Sequence, residues 1–256
     1  MIYYKRGDRK ALIMNGDKIM AFIMMWIVEK LELVGIMGSI SHCLVHTAYM
    51  NGNCLKFLKS NSVQTACVAT GAKNFAKELQ KYDLGAACDF SGHSQFHVNW
   101  KKINQALEAV NKTEHTAKLK KILELAEYGS GDAIATMLLA EAIMLDKDYT
   151  AMMFYKLYVD LPSKIKNVTV TYPKRFLCNE DESELLEPKR LQDVVHVFTK
   201  LKNNGARAFL RPAGTEHVLR LYVEAKIESE VDHITSEIVD EIGLKWTNYG
   251  EEHECK

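Results

Sequence analysis

The sequence predicts an α/β protein: a three-layer α/β domain followed by a small α+β domain. Between positions 44 and 88, short apolar runs alternate with helical stretches. After position 161 the texture changes to alternating strands around single helices. A length of 256 residues is enough for two separate cores.

Residues 2–13 read as a hairpin with Arg6-Gly-Asp8 as its turn. The run IMAFIMMWIV at 19–28 falls short of the ~20 apolar residues of a membrane span and is flanked by Asp17, Lys18, Glu29 and Lys30, so it reads as a buried helix. Then come LVHT (44–47), NCLKFLKS (53–60), VQTACVAT (63–70), AKNFAKELQKY (72–82) and LGAACD (84–89), an alternation of strand and helix that makes successive β-α-β units. Long helices follow, with Ile103, Leu107 and Val110, then Leu119, Ile122, Leu123 and Ala126, at helical spacing. Gly129 and Gly131 break the pattern before IATMLLAEAIML (134–145) resumes it. The expected divisions are a hairpin at 1–13, an α/β domain at 14–150 and an α+β domain at 151–256.

In the last of these, KNVTVTY (166–172) alternates as a strand and the acidic NEDESELLE (179–187) reads as an exposed loop. Pro188 suits a first helical turn whose apolar face is Leu191, Val194, Val195, Phe198 and Leu201, with Gly205 as its stop. Val231, Ile234, Ile238 and Ile242 form one face of a final helix, with Gly243 just past its end.

Lys+Arg and Asp+Glu balance at 33 each, so no global field favours nucleic acid or an anionic membrane, and neither is expected as a partner. Any anion site must be local. The six cysteines (43, 54, 67, 88, 178, 255) lack paired metal spacings and read as reduced thiols of a cytoplasmic chain.

The stretch RAFLRPAGTEHVLRLYVEA (207–225) holds the most chemistry. Strand alternation puts Arg207, Phe209 and Arg211 on one face, while Leu219, Leu221, Val223 and Ala225 face a core and Val218, Arg220, Tyr222 and Glu224 face out. Paired as a hairpin, the strands bring Arg211 and Arg220 to the mouth of the loop 212–217. Backbone N–H groups at a glycine turn, a threonine hydroxyl and two guanidiniums make a phosphate cradle. The same pattern also fits a solvated hairpin whose arginines pair with Glu216 and Glu224.

This loop, with NGDKI (15–19), VHTAYMNG (45–52), TGAK (70–73), DFSGH (89–93), SGDAIATMLLAEAI (130–143) and LYVDLP (157–162), resembles the α-D-phosphohexomutases, and among them the phosphoacetylglucosamine branch. The resemblance implies that Arg211, Ala213, Gly214, Thr215 and Arg220 hold the phosphate that is not reacting. It implies that Thr70, Gly71, Lys73, Asp89, Ser91 and Gly92 form the sugar site, with His93 a candidate proton shuttle and a phosphorylated hexosamine as ligand. The chain departs from the family at Ala213 for serine, Asp89 for glutamate and Ser91 for asparagine. At Ala213 one hydroxyl donor to the phosphate is missing, and loss of one such hydrogen bond to a charged group costs about 1.5–3 kcal/mol.

The resemblance starts after the family's phosphoserine and its Asp-rich Mg²⁺ loop, and residues 1–13 resemble the last hairpin of that metal-binding domain. Magnesium is thus implied for the intact family enzyme with no ligands in this chain, which alone is expected to be inactive and to want a missing N-terminal half. Three readings follow: the binding half of a mutase interconverting N-acetylglucosamine 6- and 1-phosphates for UDP-N-acetylglucosamine synthesis; a non-catalytic sugar-phosphate binding or partner module; or a phosphohexomutase for another sugar.

Overall fold

A computed structural model describes residues 1–4, 11–201, 205–214 and 216–250; the Arg6-Gly-Asp8 turn lies outside them. The chain forms two compact units, Met1–Val159 and Asp160–Lys256.

The first unit opens with β1 (Ile2–Tyr4) and β2 (Ala11–Ile13), an antiparallel pair. Next is α1 (Gly16–Val34), capped at its start by the Asn15 side chain and at its end by Gly35 in the left-handed conformation. The β-α-β alternation follows as β3 (His42–His46), α2 (Gly52–Ser60), β4 (Thr65–Cys67), α3 (Ala72–Leu79) and β5 (Leu84–Cys88). A further strand, β6 (Ser94–Val98), precedes α4 (Trp100–Glu108), α5 (Glu114–Tyr128), α6 (Ala133–Asp146) and the short α7 (Ala151–Tyr155). The sheet order is β4-β3-β5-β6, with the first three strands parallel and β6 antiparallel to β5.

Three layers arise from the pleat of the central strands. Leu44, Ala86 and Cys88 point into a core shared with α1, α2, α4, α5 and α6, while Cys43, Val45 and Ala87 meet Phe75 and Leu79 of α3 on the other face. The unit runs past position 150 because α7 belongs to it: Phe154 is fully buried with its ring 4.4 Å from that of Phe22.

The buried run 19–28 extends in both directions, and of its charged flanks Asp17, Lys18 and Lys30 are buried with it, while Glu29 is half-exposed. Lys18 donates to the carbonyls of Tyr155 (3.2 Å) and Tyr158 (2.8 Å) and lies over the Tyr158 ring. Lys30 pairs with Asp146 at 2.9 Å, and Asp146 also accepts from Trp26 (2.8 Å) and Lys118 (2.7 Å). Burial alone would raise the Asp146 carboxyl, but the hydrogen bonds from Lys118, Lys30 and Trp26 together outweigh it and hold it well below the usual carboxylate range. A depressed pKa adds stability above the unfolded value near ~3.9 and loses it as pH falls toward the folded value. Asp146→Asn leaves Lys30 buried without a counter-charge and should cost about 3 kcal/mol at pH 6. In denaturant melts the gap between wild type and variant should narrow by about 1 kcal/mol at pH 3; a gap that stays constant over that range would refute the ionised triad.

The second unit is a three-stranded antiparallel sheet, β10-β11-β7, with a small side ladder. In chain order it comprises β7 (Ser163–Thr169), β8 (Leu177–Cys178), β9 (Leu185–Glu187), α8 (Lys189–Leu201), β10 (Arg207–Pro212), β11 (Val218–Glu224) and α9 (Glu228–Lys245). Leu210, Leu219, Leu221, Val223 and Ala225 form the core with Leu191, Val195, Val231, Ile234, Ile238 and Ile242 of the two helices.

Three local expectations change. The acidic segment 179–187 is not wholly loop, because Leu185 is buried and begins β9. Gly243 sits inside α9, which continues to Lys245. The outward face of the hairpin is largely buried: Phe209 and Tyr222 pack at 5.2 Å, and Glu224, 3% exposed, accepts from Arg207 (3.1 Å) and from the Tyr222 hydroxyl (2.7 Å). Alternation sorts residues between faces but does not say which face meets water.

Candidate functional site

In the first unit, the loops after β3, β4 and β5 share the carboxyl end of three parallel strands, the end at which α/β sheets take ligands. Thr70, Gly71 and Lys73 are exposed there, and Gly71 (φ 131°) takes a backbone conformation open mainly to glycine just before α3 begins. The Asn74 amide holds this turn through the carbonyls of Ala69 (3.1 Å) and Thr70 (3.3 Å). From β6, Gln95 donates to the Ala72 carbonyl at 3.2 Å, tying this turn to the strand that leaves a second loop. Asn74 and Gln95 look like ordinary surface amides in sequence, and only the topology gives them a role.

That second loop, residues 89–93, is closed by Asp89. Its Oδ1 accepts from the Ser91 hydroxyl (2.6 Å) and from the backbone N–H groups of Gly92 (2.9 Å) and His93 (3.0 Å), while Oδ2 accepts from His93 Nδ1 (2.9 Å). Asp89 therefore turns inward and organises the loop, as a short acidic side chain does when its own backbone donors lie within reach. Burial raises its carboxyl, but the Ser91 and His93 donors more than compensate and leave its pKa lowered. Gly92, at φ 99°, closes the turn.

The His93 ring is highly exposed. Because Nδ1 faces a carboxylate it carries the proton in the neutral ring, which leaves Nε2 outward as an acceptor. The loop rests on the start of α1, where the Gly16 N–H donates to the Phe90 carbonyl at 3.3 Å. The SGD motif also serves this end of the sheet: Gly131 N–H bonds the Ser94 carbonyl (2.9 Å), and the Ser130 hydroxyl accepts from Phe96 N–H (3.0 Å).

In the second unit, the register places Arg211 directly opposite Arg220, on either side of the loop 212–217. Two like charges across a ladder repel. Each is offset by a carboxylate: Glu182 stands 3.3 Å from Arg211, and Glu216 3.2 Å from Arg220. Arg211 is 8% exposed. The Nε of Arg220 is buried and finds no hydrogen-bond partner among the described residues. A buried polar group is normally satisfied, so this donor is open to a partner beyond the described residues.

Not every predicted donor is available. The Ala213 N–H closes the hairpin onto the Val218 carbonyl at 3.0 Å, and the residue is buried. Gly214 is exposed, with no atom within 4 Å of where a Cβ would stand. Thr215 lies outside the described residues. Cys178 donates to the Leu210 carbonyl near Arg211, and burial pushes its thiol up to about 11, so it stays protonated.

Among the described residues no three His, Cys, Asp or Glu side chains gather closely enough to hold a metal ion. Asp17 is buried on α1, and Asp132 caps α6 through the Ala135 N–H (2.8 Å). These residues do not fit a magnesium site. No helix among the described residues is long and apolar enough to cross a membrane.

Comparison with known proteins agrees with this architecture. Residues 15–149 match the family model described as Phosphoacetylglucosamine mutase AMG1, domain III, and residues 167–241 match Phosphoglucomutase/phosphomannomutase, C-terminal domain. The phosphoacetylglucosamine mutase of Homo sapiens is 33% identical over 242 residues, which cover 92% of this chain and 44% of the human protein. Phosphoacetylglucosamine mutase 2 of Schizosaccharomyces pombe is 29% identical, over 94% of this chain and 45% of its own length. The crystal structure of the Aspergillus fumigatus N-acetylphosphoglucosamine mutase with GlcNAc-6P and magnesium superposes with a TM-score of 0.84 at 26% identity, over 94% of this chain and 49% of that one. The chain spans less than half the length of these curated relatives. With more than half of its residues matched by the mutase-specific model, the chain belongs to the phosphoacetylglucosamine mutase family.

Proposed function

We propose that this chain is the sugar- and phosphate-binding part of a phosphoacetylglucosamine mutase, taking N-acetylglucosamine 6-phosphate and its 1-phosphate isomer. The observation that carries the reading is the pair Arg211 and Arg220 at the mouth of one loop, with the Arg220 Nε buried and unpartnered among the described residues. Guanidiniums match phosphate geometry and stay charged at any working pH. Gly214 opens the loop, and Ala213 shapes it without adding a hydroxyl; the Thr215 hydroxyl is assigned to the phosphate on the family resemblance alone.

In the first unit Thr70, Gly71 and Lys73 offer donors to ring hydroxyls. Asp89, Ser91 and Gly92 hold His93 so that Nε2 can accept a proton from, or return one to, a sugar hydroxyl. Phosphoryl transfer depends on positioning and charge neutralisation around a nucleophile and, in many enzymes, a metal. The roles assigned to these residues are binding and orientation, so this chain on its own should bind without converting.

Calorimetric titration of the 256-residue chain tests this. N-acetylglucosamine 6-phosphate should bind more tightly than glucose 6-phosphate, and both more tightly than inorganic phosphate. Equal affinity for sugar phosphate and inorganic phosphate would discard the sugar loops. Preference for glucose or mannose phosphates would shift the specificity, and absence of any binding would sink the proposal.

A further inference from the structure

The acidic segment after β8 is built to present one carboxylate. Its turn, residues 179–184, is closed from within. The Asn179 N–H donates to the Glu184 carbonyl (3.0 Å) and the Glu184 N–H to the Asn179 side chain (3.1 Å), while Asp181 accepts from the Ser183 N–H (3.0 Å) and hydroxyl (2.6 Å). Glu182 stands at the tip with φ 59°, a left-handed backbone uncommon for a residue other than glycine. The base of the turn is pinned to β10 by the Cys178 thiol, which donates to the Leu210 carbonyl at 3.5 Å.

These bonds hold the tip where the Glu182 carboxylate meets the Arg211 guanidinium. The contact is a loose one. Oε2 and Oε1 lie 3.3 and 3.4 Å from the same Nη1, against roughly 2.7–2.9 Å for a well-made charge-assisted bond. The Glu182 side chain keeps 24% of its surface exposed and that of Arg211 only 9%, so a buried cation has its counter-charge at the edge of solvent. On the other flank Glu216 offsets Arg220 at 3.2 Å, and two cations face two carboxylates.

That balance decides which anion can enter. A free carboxylate arriving at Arg211 must displace a group of its own kind and charge, which the chain holds at an effective concentration in the millimolar range or above. It gains nothing by the exchange. A phosphate monoester brings about two negative charges and three acceptor oxygens, and so outcompetes a single, loosely placed carboxylate for a bidentate hold on the guanidinium. We infer that Glu182 is a specificity-determining residue, a built-in competitor for Arg211 that turns away singly charged carboxylates, sugar acids among them, and yields to a dianionic phosphate. The inference rests on the assignment of Arg211 to the phosphate and adds the residue that sets its charge selectivity.

Calorimetric titration of the Glu182→Gln chain with inorganic phosphate and with glucuronate tests it. Glutamine keeps the size of the side chain without its charge, and a melting curve matching wild type checks the fold. Phosphate should bind roughly tenfold tighter than to wild type, because a like charge has left the site. Glucuronate, without measurable affinity for wild type, should now bind. Adding Arg211→Ala to Glu182→Gln should erase both gains, since the competitor acts only through that guanidinium. Glu216→Gln should change phosphate affinity less, because that carboxylate is more than half exposed and screened. Phosphate affinity that is unchanged or lowered in Glu182→Gln overturns the inference, as Glu182 would then support Arg211 instead of competing for it. So does a gain that survives Arg211→Ala, or glucuronate binding equally to wild type and variant. Loss of phosphate binding in Arg211→Ala without a gain in Glu182→Gln faults the competitor alone, whereas wild-type binding in Arg211→Ala removes the loop reading and the inference with it.

Discussion

Arg211→Ala is expected to lower affinity for inorganic phosphate and for N-acetylglucosamine 6-phosphate by the same factor, roughly 10- to 150-fold, the equivalent of losing about 1.5–3 kcal/mol of charge-assisted hydrogen bonding. The factor is shared because Arg211 is assigned to the phosphate and not to the ring. The substitution also leaves Glu182 without its partner. That carboxylate is partly solvated, so the cost to folding should be modest, and the melting curve should remain cooperative. Arg211→Lys keeps the charge but loses the planar fork, and its affinity should fall between the two. If Arg211→Ala binds phosphate as wild type does, the two arginines serve only their ion pairs with Glu182 and Glu216.

Both readings of that hairpin could be written from the alternation of RAFLRP and VLRLYVE, and the structure supports elements of each. The register that opposes Arg211 and Arg220 follows from the pattern of apolar residues. The carboxylate facing Arg211, however, comes from Glu182, which is distant in sequence and lies in an acidic segment that reads as mere exposed loop. Long-range pairing of this kind leaves no local trace. The β-α-β core was legible for the opposite reason: its strands are apolar on both faces and punctuated by turns, so LVHT and LGAACD stand out.

The strand SQFHV (94–98) did not stand out, because its alternate positions carry Gln95 and His97 at a sheet edge and the run is short. The inward turn of Asp89 was equally hidden. The residue type permits it, but only a tight loop with the Gly92 and His93 donors in reach makes it happen.

Gly16→Ala should produce the largest change from the smallest substitution. A Cβ at this position would stand 2.3 Å from the Asp89 carbonyl oxygen and 2.8 Å from both Cα and N of Gly92. These are backbone atoms, so no side-chain rotation can make room, and either the start of α1 or the loop 89–93 must shift. The helix end is the stiffer of the two: Asn15 caps it through Lys18 N–H at 2.9 Å, and nearly every side chain from Asp17 to Val28 is buried. The loop therefore moves, at a cost of about 1–3 kcal/mol, and carries Asp89 and His93 with it. The expected signature is a selective one. Preference for sugar phosphate over inorganic phosphate should collapse, while affinity for inorganic phosphate, assigned to the loop 212–217, stays unchanged. Gly38→Ala supplies the control, since nothing lies within 4 Å of its Cβ position. Measured side by side, a Gly16→Ala protein that keeps the wild-type preference for sugar phosphate would show that loop 89–93 does not contact the sugar, whatever happens to its stability.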